Sequence, residues 1–130
     1  MATEKDAVQA FVPAAQGTFK ASGAITKGMI CKFKAAGVVV KCGAGEAARV
    51  VACENIADGK YGQFTIFGGG KIAAGAAIAT PGTWLKSDAN GQAIAATADE
   101  EAVIGYSVGV AGAANDLIAA VILPGFYSAA

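Results

Sequence analysis

Residues 82–125, GTWLKSDANGQAIAATADEEAVIGYSVGVAGAANDLIAAVILPG, carry the pattern that decides the fold. They predict four short strands, and the first two flank residues 88–91 (DANG), which are typical of a hairpin turn because Asn and Gly tolerate positive φ. The last two strands, residues 102–110 and 117–123, are apolar at odd and even positions alike. A strand with one exposed face alternates, so both are predicted to be covered on both faces. A chain of 130 residues offers few candidates of its own to cover them.

The chain between residue 17 and this stretch continues the same pattern. Short apolar or alternating runs are separated by turn residues at intervals of about 8 to 12 residues, which is typical of an all-β barrel or sandwich. Residues 29–35 place Cys31 and Phe33 on one side of a strand, and residues 61–67 form another strand that Gly68-Gly69-Gly70 is expected to break. We therefore predict one small all-β domain, a barrel or sandwich, over residues 17–130.

Residues 1–16 differ from the rest of the chain. Residues 3–6 are polar, residues 7–13 are mildly apolar, and no turn connects the segment to a partner strand. It is either a frayed terminus or an extended arm that becomes ordered on another subunit. Val8, Phe11 and Val12 are more apolar than a solvated tail requires, which favours the arm.

The composition indicates a surface that associates readily. Hydrophobic residues make up 55% of the chain, charged residues 15%, and the formal net charge is zero. Such a surface belongs either to a plain compact domain or to a subunit with large interfaces. Five lysines and no acid lie between residues 7 and 45, whereas five acids and no base follow residue 87. This asymmetry fits either solvated faces of opposite sign, or head-to-tail contacts between subunits or with an acidic partner.

The chain lacks the residues that several classes of function require. The chain has no histidine, which removes Ser-His-Asp and Cys-His catalysis and the commonest metal ligand. Three cysteines without C-x-x-C spacing make a poor zinc site and fit a reducing compartment. The zero net charge disfavours a nucleic-acid surface, and no apolar run reaches the ~20 residues of a membrane span. We expect no enzyme activity, no cofactor and no metal.

One glycine motif invites a nucleotide-site hypothesis. Residues 43–48 match G-x-G-x-x-A after an apolar strand, but a dinucleotide site needs a helix at that point. Residues 48–53 are predicted to form a strand instead, so we interpret the motif as a plain hairpin turn.

Four motifs together resemble a known family. They are DGKYG at residues 58–62, GTWLKSDANG at 82–91, VIGYS at 103–107 and DLIAAVILPG at 116–125. Their succession resembles the small capsid decoration (cement or head-stabilisation) proteins of tailed bacteriophages, and the order of elements agrees over residues 17–125.

The resemblance implies a β-tulip-like domain with an N-terminal arm. It implies a homotrimer on the outer capsid surface of a virion, assembled in the bacterial cytoplasm, which bridges neighbouring subunits of the major capsid protein. Within this hypothesis the arm would bind the capsid through Val8, Phe11, Val12 and Pro13. Ile118, Ala120 and Ile122 are the candidates for trimer contacts.

Two alternatives come from other classes. A host- or glycan-binding surface module could use Trp84, Tyr61 and Tyr106 as a platform. A biotinyl- or lipoyl-type carrier domain has a similar size and composition, but it needs a modifiable lysine at the tip of a hairpin. Lys86 precedes the turn at residues 88–91 and is not at its tip, which weakens the carrier hypothesis.

Overall fold

The structure is a computed structural model that describes residues 13–128, and these residues form an all-β domain. The prediction of one small all-β domain is confirmed. The described residues contain nine strands: β1 (Pro13–Ala21), β2 (Ile30–Ala35), β3 (Val38–Lys41), β4 (Val50–Ala52), β5 (Tyr61–Ala73), β6 (Trp84–Ser87), β7 (Ala93–Ala95), β8 (Ala102–Ser107) and β9 (Leu117–Phe126).

The strands follow the order β1-β3-β2-β4-β5-β9-β8-β6-β7, and β1 also pairs with β5. That extra pairing joins β1, β3, β2, β4 and the first half of β5 in a cycle, which we call the ring. The second half of β5 pairs with β9, and β8, β6 and β7 follow; we call these strands the second sheet. The nine strands do not close into one barrel, and the architecture is sandwich-like.

Two apolar cores follow from the alternation of side chains along the strands. The ring encloses one core, which contains the fully buried Phe64 together with Cys31, Val39 and Val50. The neighbouring positions on β2 and β4 point out of the ring. Their side chains, Ile30 and Val51, belong to the larger core beneath the second sheet. The second sheet therefore packs against the outside of the ring.

The long apolar strands β8 and β9 are covered by the chain itself. Ala102 through Gly105 are buried in succession, as are Ile118 through Ala120, so the prediction of cover on both faces is confirmed. The expectation that the chain has too few residues to cover them was wrong. The larger core supplies the cover, and it draws its side chains from strands and connections along most of the chain.

The triple glycine at residues 68–70 continues a strand and does not break one. β5 runs through it from Tyr61 to Ala73 and passes from the ring into the second sheet. A Cβ on Gly68 would lie 2.2 Å from the backbone nitrogen of Ala14, and φ at Gly68 is +100°. Glycine within a strand often marks a close backbone approach or a bulge, and here β1 pairs with β5 in an irregular register.

The turn at residues 88–91 is the predicted hairpin, because β6 and β7 pair antiparallel on either side of it. The glycine motif at residues 43–48 is different. It connects β3 to β4, and both of these strands pair with β2, so it is a crossover connection and the hairpin interpretation was wrong. The amide of Gly43 donates to Glu46 Oε1 at 2.6 Å, and no helix follows the motif.

Candidate interaction surfaces

Most of the predicted N-terminal arm lies outside the described residues. Val8, Phe11 and Val12 lie outside the described residues, whereas Pro13 is the first residue of β1 and stands opposite Gly68. β1 thus crosses the predicted boundary between residues 16 and 17, and residues 13–16 belong to the sheet.

The outer edge of β1 has no strand beside it over most of its length. Among the described residues, β3 pairs with β1 only at Lys20 and Ala21. The amide of Ala21 donates towards β5, to the carbonyl of Lys60, and the amide of Lys20 donates towards β3, to the carbonyl of Gly37. Alternation along an antiparallel pair then directs the amide of Thr18 towards the outer edge. Such an edge is a ready template for pairing with another chain.

An apolar patch lies at the end of the ring beside this edge. The Phe19 ring packs over Gly17, where a Cβ would come within 2.7 Å of it, and Ile66 lies next to it. Phe33 contacts Phe19 edge to face at 4.9 Å between ring centroids and remains 42% exposed. Ile66 is 38% exposed. We call Phe19, Phe33 and Ile66 the mouth of the ring.

The three residues predicted as trimer contacts are placed inside the chain. Ile118 is 5% exposed, and Ala120 and Ile122 are fully buried in the larger core. Their side chains contact residues of the same chain and are not on its surface. On β9, the large apolar side chains that do reach the surface are Leu123 and Phe126. The sequence pattern does not single out Phe126, because this residue follows the Pro-Gly pair at residues 124–125 and lies beyond the strand predicted over residues 117–123.

The outer side of β2 and β3 is a basic groove. It is lined by Lys32, Lys34 and Lys41 together with Phe33 and Glu46. Glu46 accepts a hydrogen bond from Lys32 Nζ at 2.6 Å, and this bond and the one from the Gly43 amide lower the pKa of its carboxyl group. Lys34 Nζ donates to Ser22 Oγ at 3.2 Å and is otherwise exposed. Three of the five lysines between residues 7 and 45 therefore lie in one groove.

The acidic segment between β7 and β8 is a well-bonded turn. Glu101 accepts hydrogen bonds from the amides of Thr97 and Ala98 and from Lys86 Nζ. The Lys86 bond, followed by the two amide bonds, lowers the pKa of Glu101 to about 2. The amide of Glu100 donates to the carbonyl of Tyr127, which ties the turn to the end of β9.

The three thiols occupy two environments. Cys31 and Cys42 are buried, and burial raises their pKa to about 12 and about 11 respectively. Cys53 is partly exposed in a cleft on the outer side of the ring, where its Sγ lies 3.3 Å from Gln16 Nε2 and 3.2 Å from Thr65 Oγ1. Two of the three thiols are thus buried, and Cys53 is the partly exposed one.

The residues of the two alternative functions are not arranged as those functions require. Trp84 and Tyr106 contact each other edge to face at 5.1 Å on neighbouring strands, but Tyr61 lies at the start of β5 in the ring and does not join them. Lys86 lies within β6, opposite Ile94, and is bonded to Glu101, so it is not presented at a hairpin tip.

Across residues 13–128 we find no group of three or more cysteine or acidic side chains placed to hold a metal ion. Within the same range no helix is long and apolar enough to cross a membrane.

The described residues thus define a small all-β, sandwich-like domain whose distinctive surfaces are an open strand edge, exposed aromatics and separated charges. No protein-family model and no curated protein matches the sequence significantly. Among solved structures, the chain is similar to the N base of head fiber gp8.5 of bacteriophage phi29, with a TM-score of 0.67 and 18% sequence identity. The match covers 84% of this chain and 93% of that chain, so the two share a fold over nearly their whole lengths.

Proposed function

We propose that this chain is a structural virion protein. It binds the outside of a phage capsid as a trimer and stabilises the shell by bridging neighbouring subunits of the major capsid protein. The observation that carries the proposal is the shared fold with a head fiber base of a bacteriophage. The resemblance of residues 17–125 to capsid decoration proteins, which rests on sequence motifs, supports it independently.

The surface of the domain fits a protein that acts by binding. Monomers rarely expose large contiguous apolar patches without a functional reason. Here Phe33, Ile66 and Phe67 are exposed near an open strand edge, and Phe126 is 72% exposed at the end of β9 in the second sheet. These features supply contact area and main-chain hydrogen bonds.

The arm and β1 together form the proposed capsid contact. Val8, Phe11 and Val12 lead directly into Pro13, where β1 begins with its outer edge open. An extended segment of the capsid protein could pair along this edge and continue onto the arm, with its main chain supplying the hydrogen bonds. Apolar side chains of the arm would anchor the contact.

The mechanism requires binding energy and no chemical step. A ligand that binds only the assembled shell stabilises it by RT ln(1 + [L]/Kd), which is about 4 kcal/mol at a thousandfold excess over Kd. Three linked contacts raise the effective affinity further, because the second and third become intramolecular once the first has formed.

The first experiment deletes residues 2–12 and retains Pro13 because it pairs with Gly68. Light scattering of the purified deletion variant is expected to report a folded trimer. Co-sedimentation with heads assembled from the major capsid protein of the same phage genome is expected to show loss of binding. Normal binding by the deletion variant would contradict the role of the arm, and a full-length chain that stays monomeric and ignores intact heads would contradict the proposed function.

The second experiment tests the edge of β1. Thr18→Pro removes an amide directed away from β5 while the β1–β5 pairing remains, since proline is tolerated on edge strands. Binding to heads is expected to fall while the fold persists in circular dichroism. Thr18→Ala is the matched control: it also removes the hydroxyl that accepts from Gln63 Nε2, but it keeps the amide, and it is expected to bind normally.

A further inference from the structure

Two surfaces far apart in the strand order each combine charge with an exposed aromatic ring. The first, which we call the basic face, consists of Lys34, Lys41 and Phe33 on β2 and β3. The second, which we call the acidic end, consists of Asp99, Glu100 and Phe126 at the turn before β8 and the end of β9. Each surface has the composition of an interface, an aromatic centre with a charged rim.

The acidic end is a preformed surface. Phe126 stands opposite Ala102 across the β8–β9 pair. The next residue along, Tyr127, bonds the acidic turn twice: its carbonyl accepts from the amide of Glu100, and its amide donates to the carbonyl of Glu101. The exposed Phe126 ring and the exposed Glu100 carboxylate are thereby held on one rigid corner, so little order is lost when a partner binds there.

The basic face is also held in place. Phe33 packs edge to face on Phe19, which in turn contacts Phe64 of the ring core at 5.8 Å between centroids. Lys34 and Lys41 are exposed on the same groove, whereas the charge of Lys32 is balanced by Glu46. Two exposed lysines and a fixed aromatic ring therefore line the same groove.

The identity of the partner follows from the charge distribution. The chain is neutral as a whole, with five lysines and no acid between residues 7 and 45 and five acids and no base after residue 87. Each copy thus offers both halves of a complementary pair of surfaces. A second copy of this chain presents to the basic face the acid and the aromatic that the face can accept, in equal number and at the same place in every molecule.

We infer that the acidic end of one copy docks on the basic face of the next, with Phe126 against Phe33 and Glu100 near Lys34 and Lys41. This contact is head-to-tail, and such a contact produces a closed ring when the rotation between copies closes. The inference rests on the trimer in the proposed function and specifies the contact that builds it. It replaces Ile118, Ala120 and Ile122, which are buried, as the residues between subunits.

The test reverses and then swaps the charges. In Lys34→Glu/Lys41→Glu, both surfaces are negative, and we expect self-association, measured by sedimentation equilibrium, to weaken at least about tenfold. Adding Glu100→Lys to that variant places a cation opposite the two new carboxylates and is expected to recover part of the loss. Lys27→Glu/Lys60→Glu makes the same change in net charge on exposed positions away from the basic face, and it is expected to leave association unchanged.

A second variant probes the other surface without relying on the lysines. Phe126→Ser removes a ring that is 72% exposed, so folding is expected to be unaffected while association weakens. Association of the wild type is also expected to fall as salt rises, because the paired charges lie at an exposed rim.

The outcomes separate this inference from the proposed function. If the wild type is a trimer and the charge-reversed variant and Phe126→Ser associate as tightly as it does, the head-to-tail contact is refuted and the proposed function stands. If the swapped variant recovers no association although it is folded, the pairing of these two surfaces is refuted. If the wild type itself is monomeric, both the contact and the trimer are refuted.

Discussion

The ring and the second sheet both consist of apolar strands, but they differ in how much apolar surface they leave exposed. The second sheet packs aliphatic side chains into the larger core, and the first four residues of β8 and three successive residues of β9 are buried. The ring encloses one large aromatic, Phe64, and leaves Phe33, Ile66 and the edge of β1 exposed. The comparison teaches that apolar sequence alone does not mark an interface: the more apolar region is the interior, and the region with more lysine and exposed aromatics is the surface available to partners.

The largest effect is expected from a change that breaks the second sheet. At Gly105 φ is +154° and a Cβ would lie 1.8 Å from the carbonyl oxygen of Val121. Gly105→Ala must therefore displace β9 from β8, and we expect a loss of more than about 5 kcal/mol in the free energy of unfolding, measured with urea. Gly125→Ala is the control, because no atom lies within 4 Å of the added methyl group. Equal stability of the two variants would contradict the close packing of β8 on β9.

The next effect separates the inside of the ring from its mouth. Phe64 is fully buried in the ring core, whereas Phe33 is 42% exposed. Phe64→Ala is expected to cost about 3–5 kcal/mol of unfolding free energy, because it leaves a cavity. Phe33→Ala removes the same side chain from a half-open site and is expected to cost much less, by the same denaturation measurement. Comparable losses would mean that the mouth is part of the structural core.

A smaller effect concerns pH and the acidic turn of the second sheet. The pKa of Glu101 is lowered from its ordinary value of 4.5 to about 2 in the folded state, first by Lys86 and then by the two amides. A carboxyl group with a depressed pKa stabilises the fold above its unfolded pKa, and that contribution is lost as the pH falls from 4.5 through about 2. In Glu101→Gln, the melting temperature is expected to be lower at pH 7 and to fall less steeply over this window.

The matched control for this change is Asp58→Asn, because Asp58 accepts one hydrogen bond, from the amide of Gly23 in the connection after β1. Its melting profile is expected to remain close to that of the wild type. If Glu101→Gln kept the full acid dependence of the wild type, the assignment of that dependence to Glu101 would fail.

The smallest expected effect concerns the modification of the thiols, which leaves the fold intact and measures how accessible each thiol is to a reagent. A thiol reagent at pH 8 is expected to modify Cys53 and to spare Cys31 and Cys42, whose pKa values are raised to about 12 and about 11 by burial. Mass spectrometry of the native protein should then show one adduct, and unfolding in urea should expose all three thiols. Rapid modification of Cys31 in the native protein would contradict the closed core of the ring.

The second sheet was the more predictable region, for a physical reason. Residues 88–91 contain their own turn chemistry, so the hairpin between β6 and β7 is decided locally. Local information was not sufficient at residues 68–70, where glycine was read as a strand break. The glycine at residue 68 permits the backbone of β1 to pair closely with β5, and that contact joins residues far apart in sequence.

The candidate site was less predictable than the fold. Ile118, Ala120 and Ile122 were selected because they are apolar, but apolarity does not indicate which molecule provides the cover. The segregation of charge along the sequence was visible, whereas its assembly into the basic groove depends on the pairing of β2 with β3. Phe126 is a candidate because it lies beside the acidic turn. A short window of sequence cannot show this proximity, because the turn and Phe126 are far apart along the chain.

One strand, β5, belongs to both halves of the molecule, and this has a thermodynamic consequence. Its first residues hold the ring together and its last residues hold β9, so neither half retains a complete set of hydrogen bonds without it. The two cores should therefore melt cooperatively, in a single calorimetric transition with equal van't Hoff and calorimetric enthalpies. In the capsid-bound role proposed above, such coupling would mean that strain on one half is resisted by the folding energy of the whole.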